Sequence, residues 1–280
     1  AGVYLNECRV LDIEVTVPDV NVARSDFEPV PNLTPEGGSA AGGLVGPGQS
    51  PGRIVFGLSA VRNVGEGLVE LIMDERDEGG PFSDFYDFCE RCDTSVLNKR
   101  TVESLIKAGA FDAMGHARQG LLHAHEQIID HTVARRKEHD MGVQSLFGAG
   151  EGGGPAFDER APIADVEFDK MTRLAFEKEM LGLYVSDHPL LGYEAALRRR
   201  CDASITELED VEDGLFRIVG GVVTNLDKKW TRRGDLMAVF ALEDLGGSME
   251  VMVFPKTMAE HGHKLADDVI VLVKGRIDRR

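Results

Sequence analysis

The sequence has few cysteines and lacks long apolar runs. Four cysteines in 280 residues are too few for a disulfide framework in a chain of this size, which predicts a reducing, cytoplasmic compartment. No apolar run approaches the roughly 20 residues that a transmembrane helix needs. The first residues have neither the basic nor the apolar segment of a signal peptide, and no initiator Met, so we expect a fragment of a longer cytoplasmic protein.

Complete metal-binding patterns are also missing. Cys89 and Cys92 have the spacing of half a zinc site or a redox pair, but no second pair follows nearby, which favours two ordinary helix cysteines. His125 and Glu126 begin a zinc-protease pattern, yet the next histidine is His131, so the two rings would not share one helix face. We therefore expect solvent-exposed histidines and no metal or other cofactor in this chain.

The charge is distributed unevenly. The net charge is −17, which at first argues against nucleic acid as a partner. Residues 214–280, however, hold 11 Lys and Arg against 9 Asp and Glu, whereas the rest of the chain holds 20 against 39. Local patches matter more to a nucleic-acid contact than the total charge does. The sequence thus predicts an acidic body followed by a slightly basic domain.

Residues 57–73 hold the stretch around which the rest of the chain is arranged. Their apolar residues keep a helical period, but Gly65 and Gly67 interrupt it, which predicts two short helices joined by a tight turn. A helix that opens at glycines leaves backbone N–H groups unpaired, and such groups bind phosphate. The alternative is an ordinary glycine-containing helical turn. The residues predicted to approach the phosphates of duplex DNA are Arg62, Asn63, Val64, Gly65 and Gly67.

A second unit of the same kind is predicted over residues 97–114. It consists of an amphipathic helix that begins with basic residues and ends at Gly109. Two such units in tandem are a recurrent way to build a compact DNA-binding module, so a tandem helix-hairpin-helix domain is predicted over residues 53–139. Its second set of phosphate-binding residues is Lys99, Arg100, Lys107 and Gly109.

Two segments rich in glycine or proline flank this domain. Residues 29–52 are predicted to be a linker or loop, since their composition does not support a packed element. Residues 140–162 are flexible in composition except for an apolar island, which is typical of a short docking peptide. The alternative is that the island pins the segment to its own domain. Its contact residues are Gln144, Leu146 and Phe147. A helical pair packed on the hairpin domain is predicted over residues 163–205.

The last part of the chain, residues 210–280, changes to the two-residue period of β-strands. Three strands, a short helix and a fourth strand follow the order of a five-stranded OB-fold barrel that lacks its last strand here. The predicted fold class is therefore α+β multidomain, with mainly α-helical hairpin units followed by this truncated barrel.

The segment between the first two predicted strands places four cations around the only Trp of the chain. Bases stack on aromatic rings while cations follow the phosphates, which favours single-stranded nucleic acid as the ligand. The alternative is a solvated hairpin tip. The residues predicted to bind the single strand are Lys228, Lys229, Trp230, Arg232 and Arg233.

Several collinear stretches resemble the C-terminal region of the bacterial DNA polymerase III alpha subunit family, the C-family replicative polymerases. They are YLNECR at residues 4–9 with PDVN at 18–21, FGLSAVRNVG at 56–65, LIKAGAFD at 105–112, and FEKEMLGLYVSDHPL at 176–190. Together these stretches are distributed over most of the chain and are highly specific.

The resemblance implies a role for each region. Residues 1–28 would close the fingers region, the hairpin domain would hold duplex DNA and the sliding clamp, and the OB domain would lie near the single-stranded template. The family has a clamp-binding peptide of the Gln-x-x-Leu-Phe type. Leu146 and Phe147 match it, whereas Val143 occupies the usual Gln position and Gln144 is shifted by one residue.

The resemblance also implies what this chain does not do alone. The family's catalytic carboxylates, which bind Mg²⁺, lie in a palm domain that this chain does not contain, so we expect no polymerisation by the chain itself. The implied partners are DNA, the sliding clamp and the other subunits of the polymerase III holoenzyme.

Two other functions stay open at the sequence level. A non-enzymatic replication scaffold is favoured by the acidic body, and a translesion or repair paralogue is favoured by the shifted Gln144. The salt dependence of DNA binding separates the scaffold from a DNA-binding region, because only phosphate contacts produce a steep slope.

Overall fold

A computed structural model of the chain describes residues 4–5, 7–8, 11–31, 52–141 and 160–279. The chain divides into two compact units. The first, the helical unit, comprises Ile13–Gly182, and the second, the barrel unit, comprises Leu183–Arg280 together with Ala1–Asp12. None of the helices in the described ranges is long and apolar enough to cross a membrane.

The helical unit begins with a small mixed sheet. Strand β3 lies in the middle, parallel to β1 and antiparallel to β2. These strands are β1 (Glu14–Thr16), β2 (Glu28–Pro31) and β3 (Gly52–Val55). Both ends of the predicted linker over residues 29–52 therefore belong to strands. The prolines of β2 are tolerated because β2 is an edge strand, where a missing N–H costs no ladder hydrogen bond.

Five α-helices follow in the described part of this unit. They are α1 (Glu66–Gly79), α2 (Phe85–Arg91), α3 (Lys99–Ala108), α4 (Arg118–Asp140) and α5 (Lys170–Leu181). Helix α3 is central and contacts both α4 and α5. Its side chains Val102, Leu105 and Ile106 are fully or almost fully buried. Beside them the rings of Phe85, Phe88 and Phe111 pack with centroids 5.0 to 6.3 Å apart.

A buried ion network connects three elements of the helical unit. The guanidinium of Arg118 lies 2.7 Å from the carboxylate of Asp112 and 3.0 Å from that of Glu177. Arg118 and Glu177 are almost completely buried. A Cβ on Gly109 would lie 2.3 Å from Nη2 of Arg118, so only glycine leaves room for this guanidinium. The network fixes the start of α4 against α5.

The barrel unit contains a four-stranded antiparallel sheet in the order β6-β5-β4-β7. Its elements are α6 (Glu194–Arg200), β4 (Phe216–Trp230), β5 (Leu236–Glu243), β6 (Ser248–Val253), α7 (Pro255–His261) and β7 (Ile270–Arg276). The core consists of side chains such as Val223, Phe240 and Leu242, with Ile205 and Leu208 packed on them. The predicted order of three strands, a helix and a fourth strand is what the structure shows.

Strand β4 is longer than the sequence pattern indicates. The alternation predicts a strand that ends near Thr224, but the ladder with β5 continues to Trp230, which pairs with Leu236. A bulge between Thr224 and Asp227 separates the two parts, and Asn225 adopts a left-handed backbone there, with φ of 53°. The bulge shifts the register, so the polar residues beyond it extend the strand instead of forming a loop.

The predicted helical pair is divided between the units. Helix α5 lies in the helical unit, as expected, whereas α6 belongs to the barrel unit. There α6 packs directly on β4, because a Cβ on Gly220 would lie 2.5 Å from Cδ2 of Leu197 and 3.0 Å from Sγ of Cys201. The structure thus packs α6 on β4 of the barrel unit, a contact that the sequence did not predict.

Candidate nucleic-acid interface

The start of α1 presents backbone N–H groups to solvent. Gly65 is the N-cap, with an extended backbone and no side-chain cap. The amides of Leu68 and Val69 donate to the carbonyl of Gly65, but within the described residues nothing accepts from the amides of Gly65, Glu66 and Gly67. All three residues are exposed. Three adjacent bare amides at the positive end of a 14-residue helix form a site suited to one anionic group.

The turn before α1 is held by the two helices behind it. Nδ2 of Asn63 donates to Oγ of Ser104 on α3 at 3.0 Å, and the amide of Arg62 donates to the carbonyl of Met180 on α5 at 2.9 Å. Asn63 has a left-handed backbone with φ of 67°, which asparagine tolerates better than most residues. The side chains of Val61 and Val64 are buried beneath the turn. The opening of α1 is thus fixed in place before any ligand arrives.

The five residues predicted for this site divide into two groups. Arg62, Gly65 and Gly67 are exposed, and Arg62 forms no ion pair with the described residues. Asn63 is exposed and its side chain donates to Ser104, whereas Val64 is buried and its amide donates to Val61. These two residues shape the turn, while the other three are available to a phosphate.

The second predicted set is only partly compatible with phosphate binding. Arg100 is exposed and lies one turn before Ser104 on the same face of α3, which places it near the Asn63 turn. Lys99 is engaged by Asp130 at 2.9 Å and by Glu126 at 3.4 Å. The structure therefore groups Arg100 with the start of α1.

Gly109 does not present its amide as the sequence predicts, and Lys107 already has partners within the helical unit. Lys107 pairs with Glu103 at 2.8 Å and lies over the ring of Phe176. Gly109 is buried, and its amide donates to Ile106 in a left-handed C-cap with φ of 86°. A helix C-terminus carries negative partial charge and repels phosphate. Gly109 therefore ends α3 and makes room for Arg118, and it offers no amide to DNA.

Glu66 is a residue of this site that the sequence analysis missed. It is the first residue of α1, it is exposed, and its carboxylate shares the positive helix end with the bare amides. A carboxylate there favours the helix but repels an incoming phosphate. The first-turn position of an acidic residue directly after the N-cap is the signal by which the sequence could have identified it.

The hairpin between β4 and β5 presents the predicted aromatic and basic residues. Lys228 and Trp230 face the same side of the sheet, because they are two residues apart in the part of β4 that pairs with β5 beyond the bulge. Trp230 is 72% exposed. Arg232 and Arg233 occupy the turn, are exposed, and form no ion pair with the described residues. An exposed ring among free cations is suited to stacking with a base whose phosphates are neutralised nearby.

Lys229 differs from its neighbours in the hairpin. It lies on the opposite face of β4, where its Nζ is 2.8 Å from the carboxylate of Asp227. The hydrogen bond from Lys229 to Asp227 holds the pKa of this ammonium above its usual value. Because its charge is already matched by Asp227, Lys229 contributes less to phosphate attraction than Lys228 does.

The predicted docking residues Gln144, Leu146 and Phe147 lie outside the described residues. Their role as a clamp-binding peptide stays a prediction. Domain boundaries within residues 140–159 stay predictions for the same reason.

The cysteine and histidine predictions have mixed outcomes. Cys89 and Cys92 are fully buried at the end of α2, and burial raises the pKa of the Cys92 thiol to about 12. Nη atoms of Arg136 donate to both cysteine carbonyls.

His123 and His131 are exposed as predicted, whereas His125 is buried, with Nδ1 2.8 Å from the carbonyl of Leu122. No cluster of metal-ligating side chains occurs in the part of the chain that the structure describes.

Comparison with protein families supports both modules. A model described as a helix-hairpin-helix motif matches residues 12–121, and one described as an OB-fold nucleic acid binding domain matches residues 218–280. These matches agree with the predicted α+β architecture, in which helical hairpin units precede an OB-type sheet, and the fold class is confirmed.

Three relatives of the chain carry the name DNA polymerase III subunit alpha. DNA polymerase III subunit alpha of Mycobacterium tuberculosis (strain CDC 1551 / Oshkosh) is 38% identical over 284 residues, which cover 99% of this chain and 22% of the relative. The subunit of Saccharopolyspora erythraea is 38% identical over 287 residues, with 100% and 22% covered. That of Thermus aquaticus is 36% identical over 280 residues, with 99% and 21% covered. The chain, which spans about a fifth of the length of these relatives, is therefore homologous over nearly its whole length to DNA polymerase III alpha subunits.

Proposed function

We propose that this chain is a DNA-binding region of a replicative DNA polymerase. In this proposal the helical unit holds the backbone of duplex DNA, and the barrel unit holds the single-stranded template. The observation that carries the proposal is the exposed start of α1, where the amides of Gly65, Glu66 and Gly67 have no acceptor within the described residues.

The contacts in the helical unit suit a phosphate and not a base. Backbone amides carry no sequence information, and the exposed Arg62 and Arg100 provide positive charge in the same unit. The hydrogen bond between Asn63 and Ser104 fixes the amides in advance, so little conformational entropy is lost on binding. Binding at this site is therefore expected to be independent of sequence, as replication requires.

The contacts in the barrel unit suit an unpaired strand. Trp230 offers an open ring face, which a base reaches only when it is not stacked in a duplex. Lys228, Arg232 and Arg233 surround the ring with charge that no carboxylate of the described residues neutralises. The two units thus differ in the form of DNA that they bind.

Three further roles follow from the family and belong to the proposal. The polymerisation step and its Mg²⁺ ions would be provided by the palm domain of the family. The peptide around Leu146 and Phe147 would dock on the sliding clamp, and other holoenzyme subunits would be partners. The relatives carry the name of the polymerase subunit, which supports this setting.

A charge-introducing substitution at the helix start tests the proposal. Gly65 has a negative φ of −87°, and a Cβ there would meet nothing within 4 Å, so both Gly65→Asp and Gly65→Ala fit the fold. Asp places a carboxylate at the N-cap, where it occupies the amides and repels phosphate. We expect Gly65→Asp to weaken duplex binding about tenfold, which corresponds to roughly 1.4 kcal/mol, in fluorescence anisotropy at low salt.

The matched control is Gly65→Ala, which adds no charge and leaves the amides free. We expect its duplex affinity to stay within about twofold of the unaltered chain, a difference below roughly 0.5 kcal/mol. Equal affinity of the Asp and Ala variants would contradict the proposed contact.

A non-enzymatic scaffold is a second candidate, favoured by the excess of 39 acidic over 20 basic residues outside residues 214–280. A scaffold that contacts DNA only incidentally would show a shallow dependence of affinity on salt. Four phosphate contacts would instead give a logarithmic slope of about −3.6 on a duplex. Anisotropy titrations at two salt concentrations distinguish the two candidates.

A further inference from the structure

A second cluster of exposed cations and aromatic surface lies at the opposite end of β4 from Trp230. Phe216, the first residue of β4, is 60% exposed and pairs with Arg276 of β7. Lys274 and Leu272 lie on the same face of β7 as Arg276, because they are separated from it by two and four residues. All of them are exposed. This end of the sheet therefore carries an aromatic ring, an aliphatic side chain and two cations side by side.

Helix α6 packs on this face and carries two further exposed cations at its end. A Cβ on Gly220 would lie 2.5 Å from Cδ2 of Leu197 and 3.0 Å from Cδ2 of Leu272, so the end of α6 is seated beside Leu272. The helix ends with three arginines, of which Arg199 donates to its own helix through Nε. The other two, Arg198 and Arg200, are exposed. We call Phe216, Leu272, Lys274, Arg276, Arg198 and Arg200 the rear patch.

The cations of the rear patch are exposed and lie outside the ion pairs of the described residues. The carboxylate at the end of α6, Asp202, is engaged by the amide of Ile218 at 3.0 Å. The helix dipole explains why arginines occur in the last turn of α6. It does not explain the exposure of Lys274, Arg276 and Phe216 on the strands. Four unpaired cations in a chain with a net charge of −17 indicate an anionic ligand.

We propose that the rear patch is a second binding site for single-stranded nucleic acid, at which Phe216 stacks on a base and the four cations contact the neighbouring phosphates. A duplex fits less well, since its bases are not free to reach the ring of Phe216. The proposal rests on the proposed function only in taking the template strand as the ligand of the barrel unit. Phe216 and Trp230 are the first and last residues of β4 and lie on either side of its bulge at Thr224–Asp227, so the two sites are distinct.

The test uses two readouts that report on different sites. Trp230 is the only Trp of the chain, so quenching of its fluorescence reports on the β4–β5 hairpin alone. The anisotropy of a fluorescein-labelled oligothymidine of about 20 nucleotides, longer than the span of a single site, reports total binding. The rear-patch variant is Phe216→Ala with Lys274→Gln and Arg276→Gln.

A matched control removes the same groups elsewhere in the barrel unit. Phe254 is 63% exposed, and Lys256 and Lys264 are exposed and form no ion pair with the described residues. The control variant is therefore Phe254→Ala with Lys256→Gln and Lys264→Gln, which changes the net charge equally. Circular dichroism of both variants checks that the sheet is retained.

The proposal predicts different results for the two variants. The rear-patch variant should bind the oligonucleotide about tenfold more weakly and lose about 1.4 from the logarithmic salt slope, as expected for two lost phosphate contacts on a single strand. The amplitude of Trp230 quenching at saturation should stay unchanged. The control variant should lie within about twofold of the unaltered chain.

Two other results would separate the rear patch from the β4–β5 hairpin. Equal affinity of the rear-patch and control variants would overturn the proposal, and would leave an acidic protein segment as the ligand to be tried next. Absence of Trp230 quenching in the unaltered chain, with the anisotropy still rising, would overturn the proposed role of the hairpin while leaving the rear patch supported.

Discussion

The two units of this chain present positive charge to DNA by different means. In the helical unit the charge comes mainly from backbone amides at the start of α1, and the turn before them is fixed by contacts of Asn63 and Arg62 to α3 and α5. In the barrel unit it comes from side chains at the ends of β4, which are exposed and unpaired. A backbone site is insensitive to most side-chain changes but depends on the packing beneath it. A side-chain site is sensitive to surface substitutions but depends little on the packing beneath it.

Each activity is therefore vulnerable to a different kind of substitution. Substitutions far from the surface of the helical unit should disturb duplex binding, because they displace the elements that hold the turn. Substitutions on the surface of the barrel unit should disturb single-strand binding without loss of stability.

The largest expected effect is on the buried ion network of the helical unit. Arg118→Leu would leave the carboxylate of Glu177 buried without this partner, which should lower the free energy of unfolding by about 3–5 kcal/mol. Chemical denaturation followed by circular dichroism measures the loss. Arg135→Gln, which removes the exposed partner of Glu90, is the control and should have little effect.

Hydrogen exchange then locates the effect of Arg118→Leu. Faster exchange in α3, α4 and α5, with unchanged exchange in β4 and β5, would agree with the comparison. Equally faster amide exchange in both units would show that the effect of the buried network is not confined to the helical unit.

The next effect concerns the aromatic ring of the barrel unit. Trp230→Ala should weaken single-strand binding by about 1–3 kcal/mol, or roughly 5- to 150-fold, because it removes a stacking partner. Duplex binding should stay unchanged. Gly65→Asp should show the reverse pattern, so the two variants measured on both ligands form a crossed test. A parallel loss on both ligands would mean that one surface serves both.

A smaller effect is expected from the buried thiols of the helical unit. Burial raises the pKa of Cys89 and raises that of Cys92 to about 12, so both stay protonated in the folded state at pH 9. The unfolded thiols begin to ionise near pH 8.5, so the folded state binds more protons and stability falls as the pH rises. Between pH 7.5 and pH 9 we expect a loss of roughly 1–2 kcal/mol in denaturant titrations.

The control for this pH dependence is the double variant Cys89→Ala with Cys92→Ala. Its stability should be lower at both pH values, but the difference between them should be smaller. An unchanged difference would show that other groups are responsible.

The smallest effect concerns the acidic residue at the start of α1. Glu66→Gln removes an exposed carboxylate beside the bare amides, which should strengthen duplex binding by about 0.3–1 kcal/mol, or roughly two- to fivefold. Glu70→Gln, one turn further along α1 and also exposed, should have a smaller effect. Similar gains from both would indicate a general charge effect instead of a local one. Anisotropy at low salt provides the measurement.

Much of the fold could be predicted because its signals are local. Asp84, Asn98 and Asp169 cap α2, α3 and α5 through their side chains, and such caps are visible in the sequence. The sequence indicates a long helix over residues 117–139, which corresponds to α4, and alternation over Leu236–Glu243, which corresponds to β5. Periodicity and caps act within a few residues, so the sequence alone reveals them.

The errors arose where a residue is explained by distant parts of the chain. Gly109 resembles a phosphate-binding glycine in sequence, but its role is to admit the guanidinium of Arg118, which arrives from the next helix. The strand character of Lys228 depends on the bulge at Asn225 and on pairing with β5. The placement of α6 depends on its contact with Gly220. No local pattern contains this information.

The most direct test of the account is nuclear magnetic resonance of the backbone amides at the start of α1. The chain is labelled with ¹⁵N-glycine, and the signals of Gly65 and Gly67 are assigned with the Gly65→Ala and Gly67→Ala variants. Addition of duplex DNA should move both amide protons downfield, as expected for new hydrogen bonds to phosphate, while Gly234 in the β4–β5 turn stays in place. Unmoved signals of Gly65 and Gly67 at saturating duplex would contradict the account.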